Sequence, residues 1–340
     1  MVFMRIVSPC TAGIRTTFIR MICSMMLLVS AAAARNLAAM EAPSFSASPF
    51  FEAARGNALE YVYYNDKFLS ELIWDMKPML SAGMKAGAEW RNGLTVSVEG
   101  SLAAPMNTGI MEDSDWFNLY YYNQDTEKTN FSRHEAELLY GGSLEALIGK
   151  TFKAGGGGKR DISVTPALGI RYYRWKWDAN DGYTQYASDS GAYVWSENLP
   201  KPPISGTGIS YEQQYLIPIA AVRADLSFST NLKVTTSVAL SPWLYCYSID
   251  NHHLTGYDYH DIMTGGYLLE PALAVEWTAS PKVVPFLSLK WTQIGGLRGK
   301  TGEIDTAANT ISWSYAEDGA GPGAGLETAV FRAGVAFALN

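Results

Sequence analysis

The sequence has 340 residues, with 26 basic and 33 acidic side chains and a formal net charge of −7. This acidic balance argues against a nucleic-acid partner. Hydrophobic residues make up 48% of the chain although its mean hydropathy is −0.04. The apolar residues are therefore spread by alternation and not gathered in blocks.

Residues 1–34 are predicted to be a signal peptide. Three arginines precede the apolar stretch "MICSMMLLVSAAAA" at 21–34, which ends in small residues suited to cleavage. The stretch is shorter than a membrane-spanning helix. Its removal leaves 23 basic and 33 acidic side chains, a net charge of −10. Cys246 is then the only cysteine, which excludes an intrachain disulfide.

Beyond the signal, short segments alternate between apolar and polar residues with a period of two. In "LTVSVEGSL" at 94–102, Leu94 and Val96 share one face while Thr95 and Ser97 share the other. This pattern is typical of an outer-membrane barrel, where one face meets lipid and the other meets the polar lumen. It predicts ten strands, at about 48–64, 68–90, 92–106, 131–148, 162–178, 205–227, 231–252, 265–279, 282–299 and 326–339.

We therefore predict an all-β fold, with one ten-stranded antiparallel transmembrane β-barrel domain over residues 35–340 in the outer membrane. An even strand number places both termini on the periplasmic side. Short connections are predicted at 91–93, 229–231 and 280–282, with a longer Gly-rich turn at 153–161 on the same side; long polar ones are predicted at 104–130, 178–204, 252–264 and 300–325. Several strands exceed the roughly 9 to 11 residues that cross a bilayer, so the barrel should extend above the outer membrane.

The stretch "SPWLYCYSIDNHH" at 241–253 changes the phase of its strand. Before Pro242 the bulky residues that should face lipid are even-numbered, whereas after it they are odd-numbered. Proline cannot complete a strand ladder, so a bulge is expected there. The new phase turns Asp250 and His252 inward, into the mouth of the barrel.

A second acidic site lies in the predicted first long loop, at "GIMEDSDWFN" (109–118). Asp113 and Asp115 are one residue apart, so an extended chain places both on one face. Two neighbouring carboxylates resist ionising together, which raises one pKa and suits the pair to hold and polarise a water. A solvated turn or a weak calcium contact is the alternative interpretation.

At these residues the chain resembles the omptin family, the ten-stranded aspartyl-type endoproteases of the outer membrane. "MEDSDW" matches the family's Asp-x-Asp-Trp signature, and "WLYCYSIDNHH" matches its Asp-x-His dyad. "NFSRHEAELL" at 130–139 is similar to the family's Ser-Arg-His stretch, and "ALEYVYYNDKFLSELIWDM" at 58–76 to its first hairpin. The resemblance covers essentially the whole mature chain. It implies an aspartic-type endopeptidase that cleaves polypeptides at basic residues at the cell surface.

The resemblance also implies how the peptide bond is cut. His252 would act as general base on a water, Asp250 would fix its tautomer and stabilise the imidazolium, and Asp113 and Asp115 would hold that water from the opposite wall. Activity should then be highest around neutral pH and fall in acid. Ser132 and His134 are candidate accessory residues. His134 is equally well explained as a polar residue that lines the barrel. Ser132 is better explained as a lumen-facing hydroxyl without a catalytic role, because a nucleophilic serine needs a base within reach.

Three family positions for substrate recognition are only partly matched. Glu60 corresponds to one acid of the pocket for the residue before the scissile bond, but Ser248 stands where its second acid is expected. Asn130 replaces an acid of the following pocket. We therefore expect weakened selection for arginine or lysine.

The family's lipid-binding cations are also only partly present. Arg174 fits one of the family's lipopolysaccharide-binding cations, but Gln214 occupies another. Lipopolysaccharide is thus a candidate activating lipid whose effect should be absent or altered. Outer-membrane lipid and surface polypeptides are the expected partners, and no cofactor or metal is expected.

Two alternative interpretations remain. His252, His253 and His260 could bind a metal, but their spacing is not a usual zinc spacing. The chain could also be a catalytically inactive barrel that acts as a surface adhesin or a narrow channel. A ten-stranded lumen is largely filled by side chains, and the intact set of Asp113, Asp115, Asp250 and His252 favours the enzyme.

Overall fold

The computed structural model describes residues 42–64, 66–118, 127–154, 161–314 and 321–339. The predicted signal peptide lies outside the described residues, whereas the chain from Ser44 onwards forms one compact unit. Within the described ranges no helix is long and apolar enough to cross a membrane. The strands are β1 Ser44–Tyr64, β2 Lys67–Glu89, β3 Leu94–Ala103, β4 Met106–Asp115, β5 Asn130–Lys150, β6 Phe152–Ala154, β7 Ile162–Tyr186, β8 Thr207–Ser227, β9 Leu232–Ser241, β10 Leu244–His252, β11 Tyr257–Trp277, β12 Val283–Asp305, β13 Thr310–Ser314 and β14 Gly321–Ala338.

These strands close into an antiparallel ring. The first and last strands pair along their whole length, from Ser46 opposite Ala338 to Tyr63 opposite Gly321. The ring runs β1, β2, β3 with β4, β5, β7, β8, β9 with β10, β11, β12 and β14. Two positions are each filled by two consecutive segments, while β6 and β13 only extend hairpins, so the ring formed by the described residues has ten positions. The prediction of a ten-stranded β-barrel is confirmed.

Two of the ten positions are interrupted beside a proline. The chain leaves the ladder at Ala104–Pro105 and again at Pro242–Trp243, because proline has no N–H to donate to the neighbouring strand. The predicted phase switch is confirmed at the second break. Ala239 is buried before it, and Cys246 and Ser248 are buried after it.

The first interruption corrects one prediction. Asp113 and Asp115 do not lie in a long loop, since strand pairing resumes after two residues and β4 pairs with both β2 and β5. The predicted loop at 104–130 is therefore wrong over 106–115. This strand is difficult to recognise in the sequence. It separates an aqueous cavity from an aqueous exterior, so its residues show little alternation between apolar and polar side chains.

Three further strands reach past their predicted ends. β7 continues to Tyr186, β11 begins at Tyr257 and β12 continues to Asp305. The predicted loops at 178–204, 252–264 and 300–325 are accordingly too long. These extensions form the wall of the barrel above the membrane, which agrees with the prediction that the barrel extends above the outer membrane.

An apolar band surrounds the half of the barrel nearest the short turns. Leu102 and Phe51, for example, expose 76% and 74% of their surface, as expected for side chains that face lipid. Inside this level the lumen holds paired charges. Arg171 donates to Glu270 through two nitrogens at 2.7 Å and also to Glu145, and Arg332 bridges Glu52 and Glu99.

Above the paired charges, a plug of large side chains closes the lumen. Trp74 stacks on Tyr211 with ring centroids 5.6 Å apart and contacts Trp177. All three side chains are fully buried. The plug forms the floor of the space at the outer mouth of the barrel.

Removal of Arg171 should destabilise the barrel strongly. Arg171→Ala leaves Glu270 and Glu145 buried without their main partner, which costs about 3–5 kcal/mol for a buried pair. Arg223→Ala is the matched control, because Arg223 is 43% exposed beside Asp225 and should cost less than about 1 kcal/mol. Urea unfolding in detergent micelles measures both values. Equal losses for the two variants would contradict this account of the lumen.

Candidate active site

A cavity of about 660 Å³ opens at the outer mouth of the barrel. Its walls are the strand ends that rise above the apolar band. Among the described residues, six acidic side chains and no lysine or arginine line it. The acids are Glu60, Asp113, Asp115, Asp250, Asp261 and Glu303.

Asp250 and His252 form a hydrogen-bonded dyad on one wall. Their spacing of two residues on β10 points both side chains inward, and His252 Nε2 lies 2.5 Å from Asp250 Oδ2. Asp250 is almost fully buried, and the edge of the Tyr259 ring packs against the imidazole. The carboxylate accepts the Nε2 proton, so Nδ1 is the nitrogen left to take another.

The pKa of His252 reflects opposing influences. Burial disfavours the imidazolium, but Asp250, followed by Asp113 and Asp115, outweighs burial and raises the pKa above its usual value. These carboxylates thus stabilise the protonated form that a general base becomes after it accepts a proton.

Asp113 and Asp115 share the inner face of β4. Ser70 Oγ lies 3.4 Å from Asp113 Oδ1, and Asp115 is registered opposite Ser70 and Asn130. Burial raises the pKa of Asp115 to about 6. Burial, together with the neighbouring charge of Asp115, raises the pKa of Asp113. The pair therefore resists complete ionisation near neutral pH.

The two pairs face each other across the cavity. β4 and β10 are separated by β5, β7 and β8 on one side of the ring, which places them on nearly opposite walls. All four side chains line the same cavity. The structure therefore brings together two pairs of residues that lie about 135 residues apart in the sequence.

Of the three candidate residues for substrate recognition, two line the cavity and one does not. Glu60 lies in the cavity and is almost fully buried; burial, then Asp250, Asp261 and Asp113, raises its pKa. Asn130 also lines the cavity. Ser248, in contrast, is fully buried and is not part of the cavity wall.

Asp261 is a cavity acid that the sequence interpretation missed. It lies on β11 directly opposite Ser248, and Ser248 Oγ donates to its Oδ2 at 3.0 Å. Residues 252–264 were predicted to form a loop, which assigned no inward face to Asp261. An earlier start for β11 would have placed it, because the two-residue alternation from Tyr259 points it inward.

Ser132 and His134 are neighbours on β5 and both line the cavity. His134 Nδ1 lies 2.5 Å from the Asp181 carbonyl oxygen, and its Nε2 lies 3.0 Å from Ser132 Oγ. The imidazole thus donates to the carbonyl and accepts from the hydroxyl. Burial lowers the pKa of His134, which favours this neutral form.

The three histidines of 252–260 do not converge. His253 lies 2.7 Å from Ser210 Oγ and His260 lies 2.7 Å from Tyr247 OH, whereas His252 faces the cavity. No group of three or more His, Cys, Asp or Glu side chains in the described part of the chain is placed to hold a metal ion. The three histidines therefore make separate contacts and are not gathered into one group of ligands.

Arg174 lies on the outer face of the barrel and is already paired. Its Nε donates to Glu212 Oε1 at 2.7 Å and its Nη2 donates to Tyr140 OH at 3.1 Å. Gln214 donates to the same Glu212 oxygen at 2.6 Å. The patch therefore presents a neutralised guanidinium to any lipid headgroup.

Comparison with known proteins agrees with this fold. The profile of the Omptin family matches residues 44–339, so the chain belongs to the omptin family of outer-membrane proteases. The plasminogen activator of Yersinia pestis is 23% identical over 281 residues, which span 77% of this chain and 82% of that protein. The crystal structure of the outer-membrane protease OmpT from Escherichia coli superposes with a TM-score of 0.73 at 16% identity, over 87% of this chain and 97% of that one.

Asp250→Asn should lower the pKa of His252, because it removes the nearest negative charge and keeps a hydrogen-bond acceptor. Histidine ring signals followed by NMR during a pH titration measure the value. Asp258→Asn is the control, since Asp258 lies on the same hairpin but alternates to the outer face. An unchanged His252 pKa in Asp250→Asn would mean that the dyad does not set its protonation.

Proposed function

We propose that this protein hydrolyses polypeptides at the cell surface by direct attack of a water molecule. The observation that carries the proposal is the Asp250–His252 dyad facing the Asp113–Asp115 pair across one cavity. A water between these walls has a base on one side and acids on the other. This arrangement also favours an enzyme over an inactive adhesin.

The chemistry follows from the protonation states. His252 Nδ1 takes a proton from the water as the water oxygen bonds to the scissile carbonyl carbon, while Nε2–H stays hydrogen-bonded to Asp250. Asp113 and Asp115 hold that water. When the carbon–nitrogen bond breaks, the imidazolium returns its proton to the leaving amine. No side chain becomes covalently attached to the substrate, and carboxylates hold the attacking water, so we assign the reaction to the aspartic type.

Basic residues are the substrates that this cavity favours. Six acids without a lysine or arginine line its described surface, so cationic side chains are attracted and anionic ones are repelled. Glu60 is proposed to bind the residue before the scissile bond. Asn130 offers no charge to the residue after it, where selection should be weak.

Lipopolysaccharide is proposed as an activating lipid that binds weakly at the outer patch around Arg174. The pairing of Arg174 with Glu212 and the presence of Gln214 leave little free positive charge there. We therefore propose that this protein depends less on the lipid than a barrel with unpaired cations would.

His252→Ala and Asp113→Ala should each abolish most proteolysis and leave the barrel folded. General-base catalysis contributes on the order of 10² to 10⁴ in rate, so losses of that size are expected in kcat with refolded protein in detergent. Ser132→Ala is the matched control on the same cavity wall and should cost much less.

The control also tests the chemistry of the attack. If Ser132→Ala were as damaging as His252→Ala, and a serine-directed acylating reagent labelled Ser132, then an acyl-enzyme mechanism would replace direct attack by water.

Proteolysis should decrease in acid with an apparent pKa above the ordinary histidine value of about 6.5. The neutral form of His252 is the base, and its carboxylate neighbours raise the pKa, so protonation removes the base at a higher pH than for a free imidazole. A profile of kcat/KM between about pH 5 and 9 measures this limb. Activity that increases toward pH 5 would contradict the assignment of His252 as base.

A further inference from the structure

We propose that Asp261 is a specificity-determining residue that, together with Glu60, binds the guanidinium or ammonium group of the substrate residue before the scissile bond. This proposal rests on the proposed proteolysis. It concerns a residue on β11, one strand away from the dyad, for which the sequence interpretation gave no role.

The position of Asp261 is the first argument. It is registered opposite Ser248 across the β10–β11 pair, so its carboxylate occupies the place where position 248 would offer an acid. Asp261 lines the cavity whereas Ser248 does not. The acid that Ser248 lacks is therefore supplied from the neighbouring strand.

The hydrogen bonds of Asp261 hold its carboxylate in one orientation. Ser248 Oγ donates to Oδ2 at 3.0 Å and Thr301 Oγ1 donates to Oδ1 at 2.7 Å. Each carboxylate oxygen keeps a further lone pair. Burial raises the pKa of Asp261 to about 6, so the group is mainly ionised at neutral pH and can accept from a cation.

Unpartnered oxygens beside Asp261 point to a missing cation. Glu60 exposes only 4% of its surface, and none of the described residues makes a well-formed hydrogen bond to its Oε2, although the Trp74 side chain lies near enough to lower the pKa of Glu60. The buried Oδ1 of Asp250 likewise has no donor in the described part of the chain. Buried carboxyl groups in proteins are normally hydrogen-bonded or paired, and the described cavity lining supplies no lysine or arginine for these two. A bound cation would favour the ionised form of Glu60. A guanidinium, with five N–H donors in one plane, would satisfy these acceptors together.

The walls beside the acids suit the rest of such a side chain. Leu72 and Ile209 line the cavity, and apolar walls accommodate the methylene stem of arginine or lysine while the charged end reaches its partners. Arginine fits better than lysine, because several separated oxygens match a planar fork more closely than a point charge.

Asp261 changes the expectation for selectivity. From the sequence alone, Ser248 implies a pocket with one acid and weak selection, which Ser248→Asp should sharpen. With Asp261 already present, Ser248→Asp would place two carboxylates in contact across the strand pair and should not sharpen selection.

The test uses two peptides that differ only in the residue before the scissile bond, arginine in one and its neutral isostere citrulline in the other. The measured quantity is the ratio of their kcat/KM values. Asp261→Asn should lower this ratio about thirtyfold or more, as expected when one partner of a buried charge pair is removed. The kcat/KM of the citrulline peptide should decrease far less, because citrulline carries no charge for Asp261 to bind.

Two further variants test whether the loss of the carboxylate causes the decrease in this ratio. Ser248→Asp combined with Asp261→Ser moves the carboxylate across the strand pair and should restore the ratio that Asp261→Ser alone loses. Asp258→Asn removes the same charge from the outer face of β11 and should leave the ratio unchanged. Equal losses for both peptides in Asp261→Asn, or no loss for either, would overturn the proposal.

A binding measurement separates this proposal from the proteolysis on which it rests. Agmatine, a guanidinium on a methylene stem, is titrated calorimetrically into unmodified protein, Asp261→Asn and Asp258→Asn. Weakened binding only in Asp261→Asn supports the site even if neither peptide is cleaved, in which case the proposed proteolysis fails alone. Equal agmatine binding to all three proteins would overturn the role of Asp261.

Discussion

Closure of the strand ring is the constraint on which the rest of this structure depends. Backbone groups that face lipid must be paired within the protein, and the full-length pairing of β1 with β14 meets that requirement. The same ladders continue above the membrane as a wall with water on both faces. The two residue pairs of the candidate active site are therefore held on strands and not on loops, which suits a site that must keep them at fixed separation.

The acidic side chains of the lumen are neutralised at the level of the apolar band but largely lack cationic partners among the described residues at the outer mouth. Within the apolar band, Arg171 and Arg332 neutralise the inward acids through short hydrogen bonds. At the outer mouth the acids outnumber their described cationic partners, and burial and mutual repulsion raise the pKa values of Glu60 and Asp113. The lower level stabilises the fold, and the upper level keeps acceptors available for a substrate cation and for a water.

Much of the fold could be predicted from the sequence, because lipid imposes a strict two-residue alternation on the spanning segments. Pro242 and the change of phase after it placed Asp250 and His252 inward correctly. The prediction failed above the membrane, where no apolar face is required: Asp113 was assigned to a loop although it lies on β4, and Asp261 was overlooked because β11 begins at Tyr257. Contacts between strands, such as Ser248 with Asp261, depend on register, which the single sequence does not determine.

In the proposed mechanism water, and not a side chain, attacks the substrate. Mass spectrometry of the intact protein, quenched at successive times during cleavage of an arginine-containing peptide, tests it most directly. The protein should keep its unmodified mass at every time while both peptide fragments accumulate. A transient increase in mass equal to the amino-terminal fragment, located on Ser132 or on another nucleophile of the cavity, would contradict it.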